Sequence, residues 1–245
     1  MIKMILSKQN ATIKEIRSLS DKKFRDSLGL YIVESVKLVQ DAISLNMPIK
    51  LIVGTEKGLT ALGSTLHETL LVSEEVYKSI SEQVSPQGVL AVLYKPQNDM
   101  VEEGQSSILL DGVSDPANVG AIIRTAAASG YQTVYMTPDC ADPYSPKAVR
   151  AAMGGIFRVN VVRDKVENLL ESIKNPITVA DMQGKNVFVD GINGSFCLVI
   201  GNEGKGVSDL VRSKAKYTVS IPMQNGMESL NAAVSAGILM YNLKK

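Results

Sequence analysis

The 245-residue chain has no tryptophan, a single histidine and two cysteines, and nowhere do the ~18 unbroken apolar residues of a membrane span occur. Each shortage closes off a class of protein. Cys140 and Cys197 are too few for a disulfide framework. His67 has no Cys or His at ligand spacing, so no structural metal is expected. It lies in the polar stretch Ser64–Glu68, which suits a surface histidine better than a catalytic one. Without a long apolar run, and with an apolar core in Met1–Lys8 too short for a secretory signal, the expectation is a cytoplasmic protein with no membrane partner. Charge of one sign is also lacking: 26 basic against 25 acidic residues leave a formal net charge of +1, which gives no global sign of a polyanionic partner. The 45 % hydrophobic and 21 % charged content is that of a globular protein.

What is present is unevenly placed. Residues 1–25 hold Lys3, Lys8, Lys14, Arg17, Lys22, Lys23 and Arg25 against Glu15 and Asp21, which suggests phosphate contacts, although a helix with a solvated face explains the cluster as well. Apolar periodicity predicts strands at Leu30–Val33, Leu51–Val53 and Gly88–Tyr94, with helices at Val36–Leu45 and Glu74–Ser81. Lys95–Gln105 then breaks both periodicities with proline, glycine and acid. The expected division is therefore a domain at 1–97, a linker at 98–105 and a second domain at 106–245. The first domain offers no obvious nucleophile or base, which fits binding better than catalysis.

The second domain opens with the buried-strand pattern Ile108-Leu109-Leu110. Asp115 is placed to cap a helix with Pro116 at its first position, and Val119, Ile122, Ile123, Ala126 and Ala127 form its apolar face. Arg124 falls off that face. Its side chain leans over Gly120 toward the strand-to-helix loop, the edge where open α/β sheets bind ligands. Strand and helix signals follow at Thr133–Met136, Pro146–Met153, Ile156–Val162, Val166–Ile173 and Ile177–Ala180. The chain closes with a strand in Tyr217–Met223 and an apolar helix, Ala232–Leu243, whose small residues Ala232, Ala233, Ala236 and Gly237 suit burial against the sheet or another subunit. Ser229 and Asn231 are each good helix caps. The pattern is α/β.

The loop after Leu198-Val199-Ile200 reads Gly201-Asn202-Glu203-Gly204-Lys205-Gly206. It is neither a Walker A sequence, which needs Lys then Ser/Thr after its last glycine, nor the G-x-G-x-x-G dinucleotide fingerprint. Glu203 would repel a polyphosphate, so a phosphate-free adenosine-type ligand or one with a cationic centre fits better. A plain solvated turn explains the loop equally.

Three segments together resemble the SpoU/TrmH family of RNA ribose 2′-O-methyltransferases, in the SPOUT superfamily. They are Asp115–Ala126, Ile200–Gly206, and Ile221-Pro222-Met223 with Glu228-Ser229-Leu230-Asn231 and the last helix. Ser7–Asn10, Tyr31–Glu34 and Pro86–Val92 resemble the ribosomal-protein-like RNA-binding domain that many members carry. The resemblance implies an α/β fold with a C-terminal trefoil-knotted SPOUT domain, a smaller N-terminal α/β RNA-binding domain, and a homodimer. The sequence rules alone would reject a knot. It further implies S-adenosylmethionine as cofactor, met by Gly201, Ile221, Met223 and Leu230, and an active-site set of Arg124, Asn118, Glu203, Ser229 and Asn231. Asn118, Ser229 and Asn231 would orient Arg124 and the ribose, and Glu203 would touch the cofactor or a neighbouring side chain. Two roles stay open for Arg124: deprotonating the hydroxyl, or stabilising the developing alkoxide as a cation. The partner implied is RNA, ribosomal rather than transfer RNA. A transfer RNA enzyme, a methyltransferase acting on a base nitrogen or on protein, and a catalytically silent ribosome-assembly factor are the alternatives. Ala152 and Ser35 depart from the family pattern, which has serine and glycine there.

Overall fold

The computed structural model describes residues 4–96, 104–189 and 192–243. Lys3 of the basic segment and residues 98–103 of the expected linker lie outside the described residues. The chain forms two compact units, Met1–Gln97 with Tyr144–Phe157, and Asn98–Pro143 with Arg158–Lys245.

The first unit runs α1 (Ala11–Ser18), α2 (Lys22–Leu28), β1 (Leu30–Glu34), α3 (Val36–Ser44), β2 (Ile49–Gly54), α4 (Glu56–Leu62), β3 (Thr69–Leu71), α5 (Glu74–Lys78) and β4 (Val89–Tyr94). Its sheet has the order β1-β4-β2-β3, with β4 antiparallel to both neighbours and β3 parallel to β2. Central β4 is apolar throughout because both faces are covered. Leu90 and Val92 join Ile13, Ile16 and Tyr77 on one side, while Val89, Ala91 and Leu93 join Leu38, Val39 and Leu62 on the other. Polar caps start the helices, as where Asn10 Oδ1 accepts from Thr12 N at 2.9 Å. Much of the N-terminal positive charge is engaged internally. Lys8 pairs with Glu75, Lys22 and Lys95 with Asp26, and buried Arg25 donates to the carbonyls of Leu19 and Ser20 at 2.6 and 2.7 Å. Lys14 and Lys23 stay exposed.

The chain continues through β5 (Ser107–Asp111), α6 (Pro116–Ala128), β6 (Thr133–Met136), α7 (Pro146–Ala152), a 3-10 turn (Met153–Phe157), β7 (Asn160–Arg163), α8 (Val166–Ser172), β8 (Ile177–Asn186), β9 (Cys197–Gly201), α9 (Asp209–Ser213), β10 (Ala215–Ser220) and α10 (Ala232–Leu243). Helix α7 and the 3-10 turn belong to the first unit. The strand expected from Ile156 begins only at Asn160: Ile156 and Phe157 are apolar because they pack, not because they are extended. The second unit's sheet is wholly parallel, in the order β10-β8-β9-β5-β6-β7.

From β5 the chain steps outward through β6 and β7, then returns to the other side of β5 through β8 and β9. Neighbours β5 and β9 therefore flank the switch point of the sheet, where the loops beyond their carboxyl ends open a crevice. Strand β8 is longer than its apolar start predicts. Its pairing with β10 jumps from Val179↔Thr218 to Lys185↔Val219, so Ala180–Gly184 swings out of the ladder at this same end. Helix α10 packs on α6 and β9.

Candidate active site

Register brings the site together. Asp111 of β5 pairs with Gly201 of β9, so the residues that follow them leave the sheet side by side. Asn202 Nδ2 donates to the Gly112 carbonyl at 2.7 Å, and Asn202 Oδ1 accepts from the backbone of Gly204 and Lys205 at 2.9 and 3.0 Å. Asp111 Oδ2 accepts from Ser208 N at 2.7 Å, fixing the far end of the glycine loop. The loop doubles back, with paired backbone hydrogen bonds between Asn202 and Gly206 at 3.0 and 2.9 Å. A Cβ on Gly201 would sit 2.4 Å from the Gly206 carbonyl carbon, so only glycine permits the fold-back.

Glu203 projects from this loop onto the start of α6. Its Oε1 accepts from Asn118 Nδ2 at 2.9 Å, and Oε2 accepts from the backbone and hydroxyl of Ser114 at 3.3 and 3.2 Å. An ionised carboxylate only accepts, which fixes the rest of the chain of bonds. Asn118 must present its amide nitrogen to Glu203 and hence its oxygen to Asn231 Nδ2, at 2.9 Å. The Asn231 oxygen is left to accept from Ala233 N and Val234 N, at 2.9 and 3.3 Å, capping α10. Partial burial raises the Glu203 carboxyl, but the donors from Asn118 and Ser114 outweigh it and hold the group below the ordinary glutamate range.

Beside this relay a cleft opens along the glycine loop, the Ala180–Met182 segment and the stretch between β10 and α10. Ile221, Met223, Leu230 and Leu239 give it apolar walls, and among the described residues its charged lining is Asp181, Glu203 and Glu228, with no lysine or arginine. Asp181 is neutralised by Arg212. Such a surface repels polyphosphates and suits a large, partly apolar ligand with a cationic centre. The residues present thus fit a sulfonium nucleoside.

Of the residues expected at the cofactor, Ile221, Met223 and Leu230 line the cleft, while Gly201 lies behind the loop at the end of β9. Glu203 and Ser229 also line it, and Asn118 and Asn231 lock the elements around it. Their amides engage Glu203, each other and the α10 cap rather than Arg124. Arg124 stands exposed on α6, with no hydrogen bond or ion pair among the described residues. Sequence reasoning passed over Ser114, Asn202 and Asp111. Asn202 carried a usable signal, since an asparagine beside glycines often bonds the backbone two residues on, whereas Ser114 and Asp111 acquire their roles only through strand register.

Among the described residues, no group of three His, Cys, Asp or Glu side chains could hold a metal ion, and no helix is long and apolar enough to cross a membrane.

The sequence profile of the SpoU rRNA Methylase family matches residues 105–241, and that of the MRM3-like substrate binding domain matches residues 10–91. The chain is 30% identical over 99% of its length to the 23S rRNA (guanosine(2553)-2′-O)-methyltransferase RlmP of Bacillus subtilis, the whole of which is covered. Two crystal structures with AdoMet superpose on it. The rRNA methyltransferase of Sinorhizobium meliloti does so with a TM-score of 0.87 at 29% identity, covering 99% of this chain and 97% of that one. The SpoU methyltransferase AviRb of Streptomyces viridochromogenes gives 0.86 at 27% identity, covering 96% and 97%.

Proposed function

The chain belongs to the SpoU rRNA methylase family, and from that premise we propose that it transfers a methyl group from S-adenosylmethionine to a ribose 2′-hydroxyl of ribosomal RNA. The observation that carries this reading is the cleft beside Glu203, apolar in its walls and lined, among the described residues, by carboxylates without a basic residue. S-adenosylmethionine supplies an electrophilic methyl on a sulfonium whose charge is lost on transfer. Ile221, Met223 and Leu230 would hold it, with backbone groups of the glycine loop approaching closely.

On transfer the 2′-hydroxyl oxygen would gain the methyl as the carbon–sulfur bond breaks, and the hydroxyl proton would pass to solvent water. Alignment of oxygen, carbon and sulfur dominates such a displacement. The relay Glu203–Asn118–Asn231 supports that alignment by joining the glycine loop, α6 and the start of α10, while Ser229 stands in the cleft wall. An exposed guanidinium is cationic, so Arg124 suits gripping the adjacent phosphate and the developing alkoxide better than removing the proton.

The trefoil knot is part of this proposal. Support comes from α10 packing on α6 and β9, and from Gly184, where a Cβ would stand 2.5 Å from the Val219 carbonyl carbon, so that β8 and β10 lie at backbone contact there. A homodimer is proposed from α10, where Val234 and Tyr241, two turns apart, are 51% and 60% exposed. The first domain, 1–97, binds RNA on this reading and 106–245 carries the chemistry, in the cytoplasm.

The test is to incubate the full chain with methyl-labelled S-adenosylmethionine and separate pools of ribosomal and transfer RNA. Label in alkali-resistant dinucleotides of ribosomal RNA is the expected result, because a methylated 2′-oxygen cannot attack its phosphate. Label only in transfer RNA would replace the substrate. Absence of both label and cofactor binding would leave a silent RNA-binding protein.

A further inference from the structure

The first unit holds a second pocket that the methyl-transfer chemistry does not use. Glu34, the last residue of β1, turns its carboxyl into it. Oε1 accepts from Tyr77 Oη at 3.1 Å and Ser81 Oγ at 2.5 Å, whereas Oε2 meets only the Glu82 N–H at 3.4 Å. One oxygen is thus saturated and the other retains capacity to accept. Burial raises the Glu34 carboxyl above the ordinary glutamate range despite these donors.

The next residue, Ser35, has φ 144° and ψ 155°, a region otherwise reserved for glycine. Strain of this kind persists only where the surroundings impose it, and it clusters at binding sites. Here it turns the chain from β1 into α3 directly beside Glu34.

Ile16, Ile32, Leu38, Ile80 and Val149 give the pocket apolar walls. Arg150 of α7 also lines it and acts electrostatically on Glu34, closing no ion pair among the described residues. Arg17 stands nearby, two of its nitrogens donating to Ser79 at 3.1 and 2.9 Å and the third left for another acceptor. A carboxylate with an accepting oxygen and a guanidinium with free donors therefore share one apolar slot. A ligand that fits must be apolar on its faces, with an N–H donor and a carbonyl acceptor on its edges. Among the RNA bases guanine, cytosine and uracil carry both an N–H donor and a carbonyl; adenine lacks the carbonyl. Bases are read in this way when they are unstacked from single strands or loops.

We propose that this pocket receives an unstacked, carbonyl-bearing base of the RNA (guanine, cytosine or uracil, not adenine), an N–H of the base donating to Glu34 and its carbonyl accepting from Arg150. The proposal rests on the reading that the chain acts on RNA, and it places base recognition in the first unit, apart from the methyl-transfer cleft.

The test uses the full chain with its isoleucine methyls labelled for NMR, titrated with the four ribonucleoside 5′-monophosphates to millimolar concentration. GMP, CMP or UMP is expected to move the Ile16, Ile32 and Ile80 methyls, the strongest of the three identifying the base, with AMP leaving them in place. Glu34→Gln, and independently Arg150→Ala at an exposed position, are each expected to weaken that response about tenfold, the worth of one charge-assisted hydrogen bond. Equal shifts with all four nucleotides, no shift with any, or unchanged selectivity in a folded Arg150→Ala protein would overturn the pocket. Methylation of RNA is scored separately: transfer without base-selective shifts removes this inference alone, and selective shifts without transfer remove the enzymatic reading alone.

Discussion

Asn231 Nδ2 donates to Asn118 Oδ1 at 2.9 Å, joining two residues 113 positions apart in the chain. The bond ties the cap of the last helix to the first helix of the second unit, and through Asn118 to Glu203. Replacing Asn118, only 8% exposed, with alanine removes the bonds made by Glu203 Oε1 and Asn231 Nδ2. Unmade bonds of this kind cost about 1–3 kcal/mol, so a lowered melting temperature should accompany the loss of S-adenosylmethionine affinity. Calorimetric titration of the variant checks this, and wild-type affinity would show that the relay does not shape the cleft.

Glu203 gives a pH dependence whose sign follows from its donors. Its folded-state pKa lies below the unfolded value, so its contribution to stability is present above the ordinary glutamate pKa of about 4.3 and is lost as pH falls through the lower, folded value. Melting temperatures compared from neutral pH into this acid range should therefore converge for wild type and Glu203→Gln. At neutral pH the variant should be the less stable. A difference that grows with acidity would contradict the assignment.

Arg124→Lys separates chemistry from folding. Arg124 is exposed and has no described partner, so the change should alter stability by no more than about 0.5 kcal/mol. A lysine keeps the charge but loses the fork that grips phosphate and alkoxide together, and turnover is expected to fall by about 10²-fold or more. Normal turnover at saturating RNA with weakened RNA binding would confine Arg124 to a binding role.

Ser35→Gly should stabilise the protein. Relief of backbone strain at φ 144° is worth about 1–3 kcal/mol, against a few tenths lost when the Ser35 cap on Leu38 N is replaced by glycine. Thermal unfolding should shift upward by several degrees. A downward shift would mean that the hydroxyl, not the backbone, decides this position.

Gly201→Ala forces the loop open, because its Cβ would collide with the Gly206 backbone. Loss of cofactor binding is expected while the cores of both units stay folded. Far-ultraviolet circular dichroism beside the binding titration distinguishes this from general unfolding, and retained binding would show that the loop's closed form is dispensable.

The helix from Pro116 and the last helix, Ala232–Leu243, were legible because a local rule sufficed for each: Asp115 caps the first, and apolar and small residues surround the second. The continuous apolar run of β4 was legible for the same reason. The short elements α4, β3 and α9 were not, since a few residues carry too little periodicity. The strand expected at Ile156 failed because an apolar residue reports burial, whether or not it is extended.

For the site, the family resemblance supplied Asn118, Arg124, Glu203, Ser229 and Asn231 as the expected set, and the carboxylate in the glycine loop already argued against polyphosphates. What sequence could not supply is which side chain faces which. That Glu203 turns to Asn118 and Ser114, and that Asn231 caps α10 while bonding Asn118, follows from the register of β5 with β9 and the packing of α10 on α6. The chain by itself determined the chemistry on offer, because charge, cap preference and glycine are properties of residues and their near neighbours. Tertiary structure alone decided the partners, because hydrogen bonds are directional and join atoms that only the folded sheet order brings within 3 Å.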